Sequence, residues 1–109
     1  MFARLVTIQL KKNVITEFPR LIEKDILPML RKQKGFLEEL ILTTPIKTEA
    51  VAISLWETKE LAEKYNREVY PEIVKLLNKF VEGVPVVKDF EVEFATIPVF
   101  EKFVKGVTV

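Results

Sequence analysis

The chain has 109 residues, of which 49% are hydrophobic and 30% are charged, and its net charge is +1. This composition predicts one folded globular domain and excludes a disordered chain or two domains of ordinary size. The 17 basic and 16 acidic residues include no long basic block, which argues against nucleic acid as a partner.

Cysteine and histidine are both absent. Disulfides, thiolate nucleophiles, Ser-His and Cys-His dyads and most zinc sites are therefore excluded, and we expect neither a metal nor a cofactor. No apolar run has transmembrane length and the N-terminus lacks a signal-peptide pattern. We therefore expect a cytoplasmic protein that does not bind membranes.

Alternating side chains predict a first strand over residues 2–10. An apolar stripe then predicts a helix over residues 16–34. Pro28 lies inside this stripe, so we expect the helix to bend about one turn earlier. Gly35 is suited to end the helix, because glycine readily adopts the left-handed conformation found after helix C-termini.

Two further strands are predicted over residues 36–44 and 50–56, close enough together to form a hairpin. Thr58 is a suitable N-cap for a second helix that extends to about residue 80. Pro71 lacks a backbone N–H and clashes with the preceding turn, so we expect this helix to kink near Tyr70 or to divide there.

Residues 82–85 are expected to end the second helix and turn the chain, and residues 87–97 alternate between apolar and acidic side chains as an edge strand does. The remaining segment, residues 98–109, is too apolar for an ordinary disordered terminus. We expect this tail to dock on its own domain or on a dimer partner.

The order strand, helix, hairpin, helix, strand is that of the ferredoxin-like β-α-β-β-α-β unit. We therefore predict an α+β fold over residues 1–97, with one antiparallel four-stranded sheet and two kinked helices on one face. The second and third strands carry apolar side chains on both faces, so the second face of the sheet also needs cover. A second copy packing sheet to sheet is the simplest cover, which predicts a homodimer.

The short motifs of the chain are LPMLR at 27–31, GF at 35–36, SLWET at 54–58 followed by Ala62 and Tyr65, YP at 70–71, EGVP at 82–85 and FEV at 90–92. Together they resemble the antibiotic biosynthesis monooxygenase-like (ABM) family over about residues 4–97. The resemblance implies a dimeric α/β barrel. It also implies a cofactor-independent monooxygenase that acts on a small aromatic or quinol substrate in a pocket between helices and sheet. Haem-degrading members use a His that this chain lacks, so the resemblance does not imply haem degradation.

The family's residues do not match position by position, so the candidates for the pocket are chosen by residue type: Trp56, Tyr65, Asn66, Arg67 and Tyr70. Trp56 is suited to stacking on a flat substrate, but a core position beneath the second helix is the favoured interpretation. Tyr65 and Tyr70 are suited to donating hydrogen bonds, and the break beside Tyr70 is a favourable place for a pocket. Asn66 and Arg67 are more typical of an exposed helix surface. No catalytic residue is assigned.

Glu38 and Glu39 are adjacent in a strand, so one of them must point to an apolar face. A buried carboxylate is costly unless paired, and its raised pKa would suit proton abstraction. The favoured interpretation is an ion pair with Arg4 or Arg20.

A second hypothesis is a non-catalytic dimer that carries a small apolar ligand or serves as an interaction module. This hypothesis predicts a filled or very small pocket, and a tail that mainly strengthens the dimer.

Overall fold

The computed structural model describes residues 1–14 and 16–96. Its elements, in chain order, are β1 (Phe2–Leu10), α1 (Glu17–Leu21), a π-helical turn (Ile22–Ile26), α2 (Leu27–Arg31), β2 (Phe36–Thr43), β3 (Glu49–Trp56), α3 (Lys59–Glu68), α4 (Tyr70–Leu77) and β4 (Val81–Glu91). The strands form an antiparallel sheet in the order β2-β3-β1-β4. The predicted α+β ferredoxin-like fold is confirmed. The predicted tail, residues 98–109, lies outside the described residues. Within the described residues, none of the helices has the length and apolar character of a membrane span.

Both helical regions are interrupted where proline predicts an interruption. The turn before α2 winds as a π-helix over Ile22–Ile26, and Pro28 follows in the first turn of α2, where its missing N–H is tolerated. In the second region, Val69 leaves the helical conformation with φ −120° and ψ −41°, and α4 restarts with Pro71 in its first turn. The predicted cap is also present, because Thr58 Oγ1 accepts a hydrogen bond from the Leu61 N–H at 3.2 Å.

The last strand differs from its predicted position. β4 begins at Val81, six residues before the predicted start at 87, and the segment predicted to turn the chain lies within the strand. Gly83 has φ +74°, and the pairing register with β1 shifts between Thr7 and Gln9. A bulge on an edge strand accommodates both the glycine and Pro85, whose missing N–H faces no partner strand.

The two faces of the sheet differ in their cover. One face packs against the helices around Trp56, which is fully buried and contacts the rings of Phe36 and Tyr65 at centroid distances of 5.6 and 4.7 Å. The indole N–H of Trp56 donates to Ser54 Oγ at 2.9 Å. The other face, which we call the open face, leaves large apolar side chains exposed: Leu40, Leu42, Val86 and Phe90.

The turn before β2 gives a test of the packing between Gly35 and α3. Gly35 has φ +85°, and a Cβ there would lie 2.5 Å from Leu61 Cδ1 and 2.8 Å from Leu61 Cβ. Gly35→Ala therefore combines left-handed strain with a steric clash, and we expect a loss of about 2 to 4 kcal/mol in the free energy of unfolding, measured by urea denaturation.

Gly83→Ala is the matched control. Gly83 also has positive φ, but nothing lies within 4 Å of its would-be Cβ. Only the backbone strain then applies, and the expected loss is about 1 to 2 kcal/mol. Equal losses in the two variants would show that the contact with Leu61 is not tight.

Candidate binding cavity

A row of polar side chains crosses the helix-facing side of the sheet. The strand register places Glu39 of β2 opposite Ser54 of β3, Ser54 opposite Arg4 of β1, and Arg4 opposite Asp89 of β4. The next row on the same face is apolar and contains Ile41, Ala52, Val6 and Val87. Each strand therefore contributes one polar group to a single line on an otherwise apolar surface.

Among the described residues, Arg4 is the charged residue that is buried, with 3% of its surface exposed. Its Nη2 donates to Asn66 Oδ1 on α3, and its Nη1 lies 3.8 Å from a carboxylate oxygen of Asp89. The guanidinium also lies over two aromatic rings, 4.5 Å from the centroid of Tyr70 and 5.8 Å from that of Tyr65. Such positions are favourable for a cation because the face of an aromatic ring is electronegative.

Tyr65 and Tyr70 lie side by side above Arg4, with ring centroids 6.2 Å apart. Burial raises the pKa of both hydroxyls, and the positive charge of Arg4 opposes that rise. Both hydroxyls are therefore protonated at neutral pH and available as hydrogen-bond donors.

Glu39 lies at the β2 end of the polar row and faces the same space between sheet and helices as Tyr65 and Tyr70. Burial raises the pKa of its carboxyl to about 8, so the group is mostly protonated at pH 7. The predicted ion pair with Arg4 or Arg20 is wrong: among the described residues Arg4 pairs with Asp89, and Arg20 pairs with neither Glu38 nor Glu39. The physical reason is the register: Ser54 stands between Glu39 and Arg4, and two strand spacings separate residues by about 10 Å.

These groups surround a cavity of about 50 Å³ between the sheet and the helices. Its walls are mostly aliphatic, and its polar lining consists of Arg4, Glu39, Ser54, Tyr65 and Tyr70. An apolar cavity of about 150 Å³ is known to hold benzene, whereas this one has room for only a few water molecules. An aromatic ligand therefore requires a lining side chain to move.

The structure separates the five pocket candidates. Tyr65 and Tyr70 line the cavity. Trp56 lies behind Tyr65 in the core, Asn66 is exposed and holds Arg4, and Arg67 is exposed on α3. That all five contribute to ligand binding stays a prediction.

Arg4 was not among the five pocket candidates, although its position in the first strand carried a signal. Arg4 shares its strand phase with Val6, Ile8 and Leu10, so it had to point to the face that packs against the helices. An arginine in the apolar phase of a strand is the pattern that identifies it.

Within residues 1–14 and 16–96, the acidic residues form no group of three or more that could hold a metal ion.

The fold is shared with solved structures of oxygenases. The monooxygenase from the gene ActVA-Orf6 of Streptomyces coelicolor, in complex with nanaomycin D, is 18% identical; the match covers 89% of this chain and 91% of that chain, with a TM-score of 0.68. SnoaB, a cofactor-independent oxygenase from Streptomyces nogalater, is 11% identical over 87% of this chain and 95% of its own, with a TM-score of 0.72. A proposed antibiotic biosynthesis monooxygenase from Nitrosomonas europaea is 14% identical over 86% and 100%, with a TM-score of 0.71.

No protein-family model matches the sequence, and no curated protein matches it. The chain thus has the fold of antibiotic biosynthesis monooxygenases, as the resemblance of its motifs implied. Structural likeness at these identities establishes the fold, and function has to be argued from the site.

The carboxyl of Glu39 gives a test of this geometry through stability. Its pKa is higher in the folded protein than the ordinary 4.5, so the folded state binds more protons and the free energy of unfolding falls as pH rises from about 4.5 to about 8. Glu39→Gln removes this fall. We expect the variant to exceed the wild type by roughly 2 to 4 kcal/mol at pH 9 and to match it at pH 4.

The measurement is urea denaturation across this pH range, with Glu57→Gln as the control because Glu57 is exposed. Parallel curves for the wild type and Glu39→Gln would contradict the burial of this carboxyl.

Proposed function

We propose that the protein is a cofactor-independent monooxygenase that acts on a small aromatic or quinol substrate in this cavity. The observation that carries the proposal is the position of Arg4: the polar row places this buried cation on the sheet, against the neutral Tyr65 and Tyr70 of the helices, and all three line an aliphatic cavity. The fold shared with two named oxygenases supports the same class of reaction.

The arrangement suits chemistry in which the substrate supplies its own electrons to O₂. One oxygen atom enters the product and the other leaves as water. The protein has to hold the ring, exclude bulk water and stabilise negative charge on the substrate. Apolar walls serve the first two tasks, and a buried guanidinium serves the third. Glu39 is within the lining and accepts a proton once it is ionised.

Oxygen uptake with a panel of hydroquinones and naphthoquinols tests the proposal. We expect oxygen uptake with at least one of them. In Tyr70→Phe the kcat/KM should be about tenfold lower, because the hydrogen bond from the Tyr70 hydroxyl to the negatively charged substrate is lost. The rate should rise with pH through about 8 as Glu39 ionises, and this rise should be absent in Glu39→Gln.

Lys64→Gln is the control, since Lys64 is exposed on α3 away from the cavity. Uptake with no member of the panel, with Tyr70→Phe behaving as the wild type, would contradict the proposal.

The size of the cavity favours a second candidate, a non-catalytic carrier of a small ligand. A space of about 50 Å³ is closer to a small ligand site than to a site for a fused-ring substrate. A carrier would retain its ligand through purification without consuming oxygen, and native mass spectrometry would detect that ligand.

We also propose that the open face pairs with the open face of a second copy. Leu40, Leu42 and Phe90 are 47–54% exposed there, opposite the helix-covered side of the same sheet. A two-fold axis would bring the same apolar residues of both copies together, which is the usual geometry of homodimers.

Light scattering at micromolar concentration tests this pairing. The expected mass is twice the 12.7 kDa of one chain. Leu42→Lys places a charge on the open face and should yield monomers, because burying an unpaired charge is unfavourable. Ile46→Lys is the control: Ile46 is 75% exposed but lies in the β2–β3 turn. A stable folded wild-type monomer would contradict the dimer.

A further inference from the structure

Glu39 lines two different spaces in the structure. One is the cavity, and the other is a groove of about 410 Å³ between α2 and β2, which we call the outer groove. Leu27 and Arg31 of α2 form one wall of the outer groove, and residues 36–39 of β2 form the other. In the described part of the chain, Glu39 is the residue that the two linings have in common. It therefore lies at the junction between the cavity and the outer groove.

The backbone of β2 is irregular at this junction. The pairing of β2 with β3 shifts between Phe36 and Glu38, so that Leu37 is the extra residue of a bulge. Side chains alternate along a strand, and one extra residue reverses the faces of those that follow it. Glu39 therefore lies opposite Ser54, on the side of the sheet that faces the helices. Bulges next to functional sites commonly re-aim a side chain in this way.

The volumes of the two spaces are unequal. The cavity of about 50 Å³ is too small for a ring unless a wall moves. The outer groove, at about 410 Å³, falls within the range of about 300 to 1,000 Å³ that small-molecule sites usually occupy. A ligand confined to the cavity would bury little surface, whereas a ligand that extends past Glu39 would contact both linings.

The polar groups that line the outer groove are mainly hydrogen-bond donors at neutral pH. Arg31 is exposed and forms no ion pair with any other described residue. Burial raises the pKa of Glu39 to about 8, so at pH 7 its carboxyl is mostly protonated and donates through its O–H. Glu38 is an acceptor, but it is exposed and solvent screens its charge. The outer groove is therefore suited to a chemical group that accepts hydrogen bonds.

We propose that the outer groove is the second half of the ligand site, and that the ligand reaches the cavity through it, past Glu39. The inference rests on the proposed function, which places the reacting ring in the cavity, and it adds the substrate class. That class is an elongated molecule: an aromatic ring with a flexible arm that ends in a carboxylate. The ring enters the cavity, and Arg31 binds the carboxylate in the outer groove.

Two probes with the same ring and the same length of arm test the role of Arg31. They are 4-phenylbutanoate and the uncharged 4-phenylbutan-1-ol, titrated at pH 7 and followed by NMR. In Arg31→Gln we expect the Kd for 4-phenylbutanoate to rise about threefold to fivefold, because exposed charge pairs contribute about that much. The Kd for the alcohol should change less than about 1.5-fold. Arg20→Gln is the matched control, since Arg20 is exposed on α1 and does not line the outer groove.

Intermolecular NOEs locate the two ends of the bound probe without any substitution. The ring protons of 4-phenylbutanoate should contact the methyl groups of Ile26 and Ile41, which line the cavity. The arm protons should contact the methyl groups of Leu27 and Leu37, which line the outer groove. Both sets of NOEs should come from the same bound state and reach saturation together.

Ionisation of Glu39 should weaken the binding of a carboxylate arm. The charged and titratable groups that face the junction are Arg4 on β1, Arg31 on α2, Tyr65 on α3, Tyr70 on α4 and Glu38 on β2. Burial keeps both tyrosine hydroxyls protonated, and both arginines stay charged. As pH rises through about 8, Glu39 therefore becomes a new anion beside the arm, and like charges repel.

Between pH 7 and pH 9 we expect the Kd for 4-phenylbutanoate to rise about threefold to fivefold, with little change for the alcohol. Glu39→Gln should remove this pH dependence, and Glu38→Gln should leave it in place. A Kd for 4-phenylbutanoate that does not depend on pH in the wild type would overturn the position of Glu39 at the junction.

NOEs from both ends of the probe to the cavity alone, or to the outer groove alone, would overturn the inference. So would equal changes of Kd for both probes in Arg31→Gln, or no binding of either probe at millimolar concentration. If the NOEs and the loss in Arg31→Gln are as expected but no quinol gives oxygen uptake, the proposed oxygenase is wrong and the inference stands. Oxygen uptake without NOEs from the arm to the outer groove would overturn the inference alone.

Discussion

The burial of the Arg4 guanidinium is the constraint on which the rest of the cavity depends. A charge on this face needs polar or polarisable neighbours, and they come from three elements: Asp89 on β4, Asn66 on α3, and the rings of Tyr65 and Tyr70 on α3 and α4. The antiparallel register aligns the first of these, and the broken helix brings the others over the strand. The cavity lies where these neighbours leave the guanidinium incompletely surrounded.

The aromatic side chains next to Arg4 form a series that begins at the hydrogen-bonded Trp56 and ends at Tyr70, beside the break between α3 and α4. Trp56 is held by Ser54 and packs against Tyr65, which in turn approaches Tyr70 at the helix break. Tyr70 is the member of the series next to the non-helical Val69, so under the proposed function it is the side chain that we expect to move for a ring-shaped ligand.

The sequence predicted the parts of the fold that depend on local chemistry. Pro28 and Pro71 identified both helix interruptions, and Thr58 identified the cap, because each acts within a turn or two of its position. The start of β4 was wrong because a bulge on an edge strand tolerates Gly83 and Pro85, which local rules assign to a turn. The cavity depends on register across four strands, which no short segment specifies. The partners of Arg4 and the surroundings of Glu39 were therefore beyond prediction, although the strand phase of Arg4 was not.

The central claim is that the Arg4 guanidinium binds an anionic ligand in the cavity. The most direct test is the NMR signal of the Arg4 Nε–H in isotopically labelled protein, assigned with Arg4→Lys. The account predicts that this proton, which has no acceptor among the described residues, has no strong hydrogen bond in the free protein. Its resonance should move downfield when 4-nitrophenol is added but not when 4-nitroanisole is added, because 4-nitroanisole has the same ring and cannot ionise. A resonance already shifted downfield in the free protein, and unchanged by either compound, would show that Nε has a partner within the protein. In that case Arg4 is a structural residue, and the cavity is not a site for an anion.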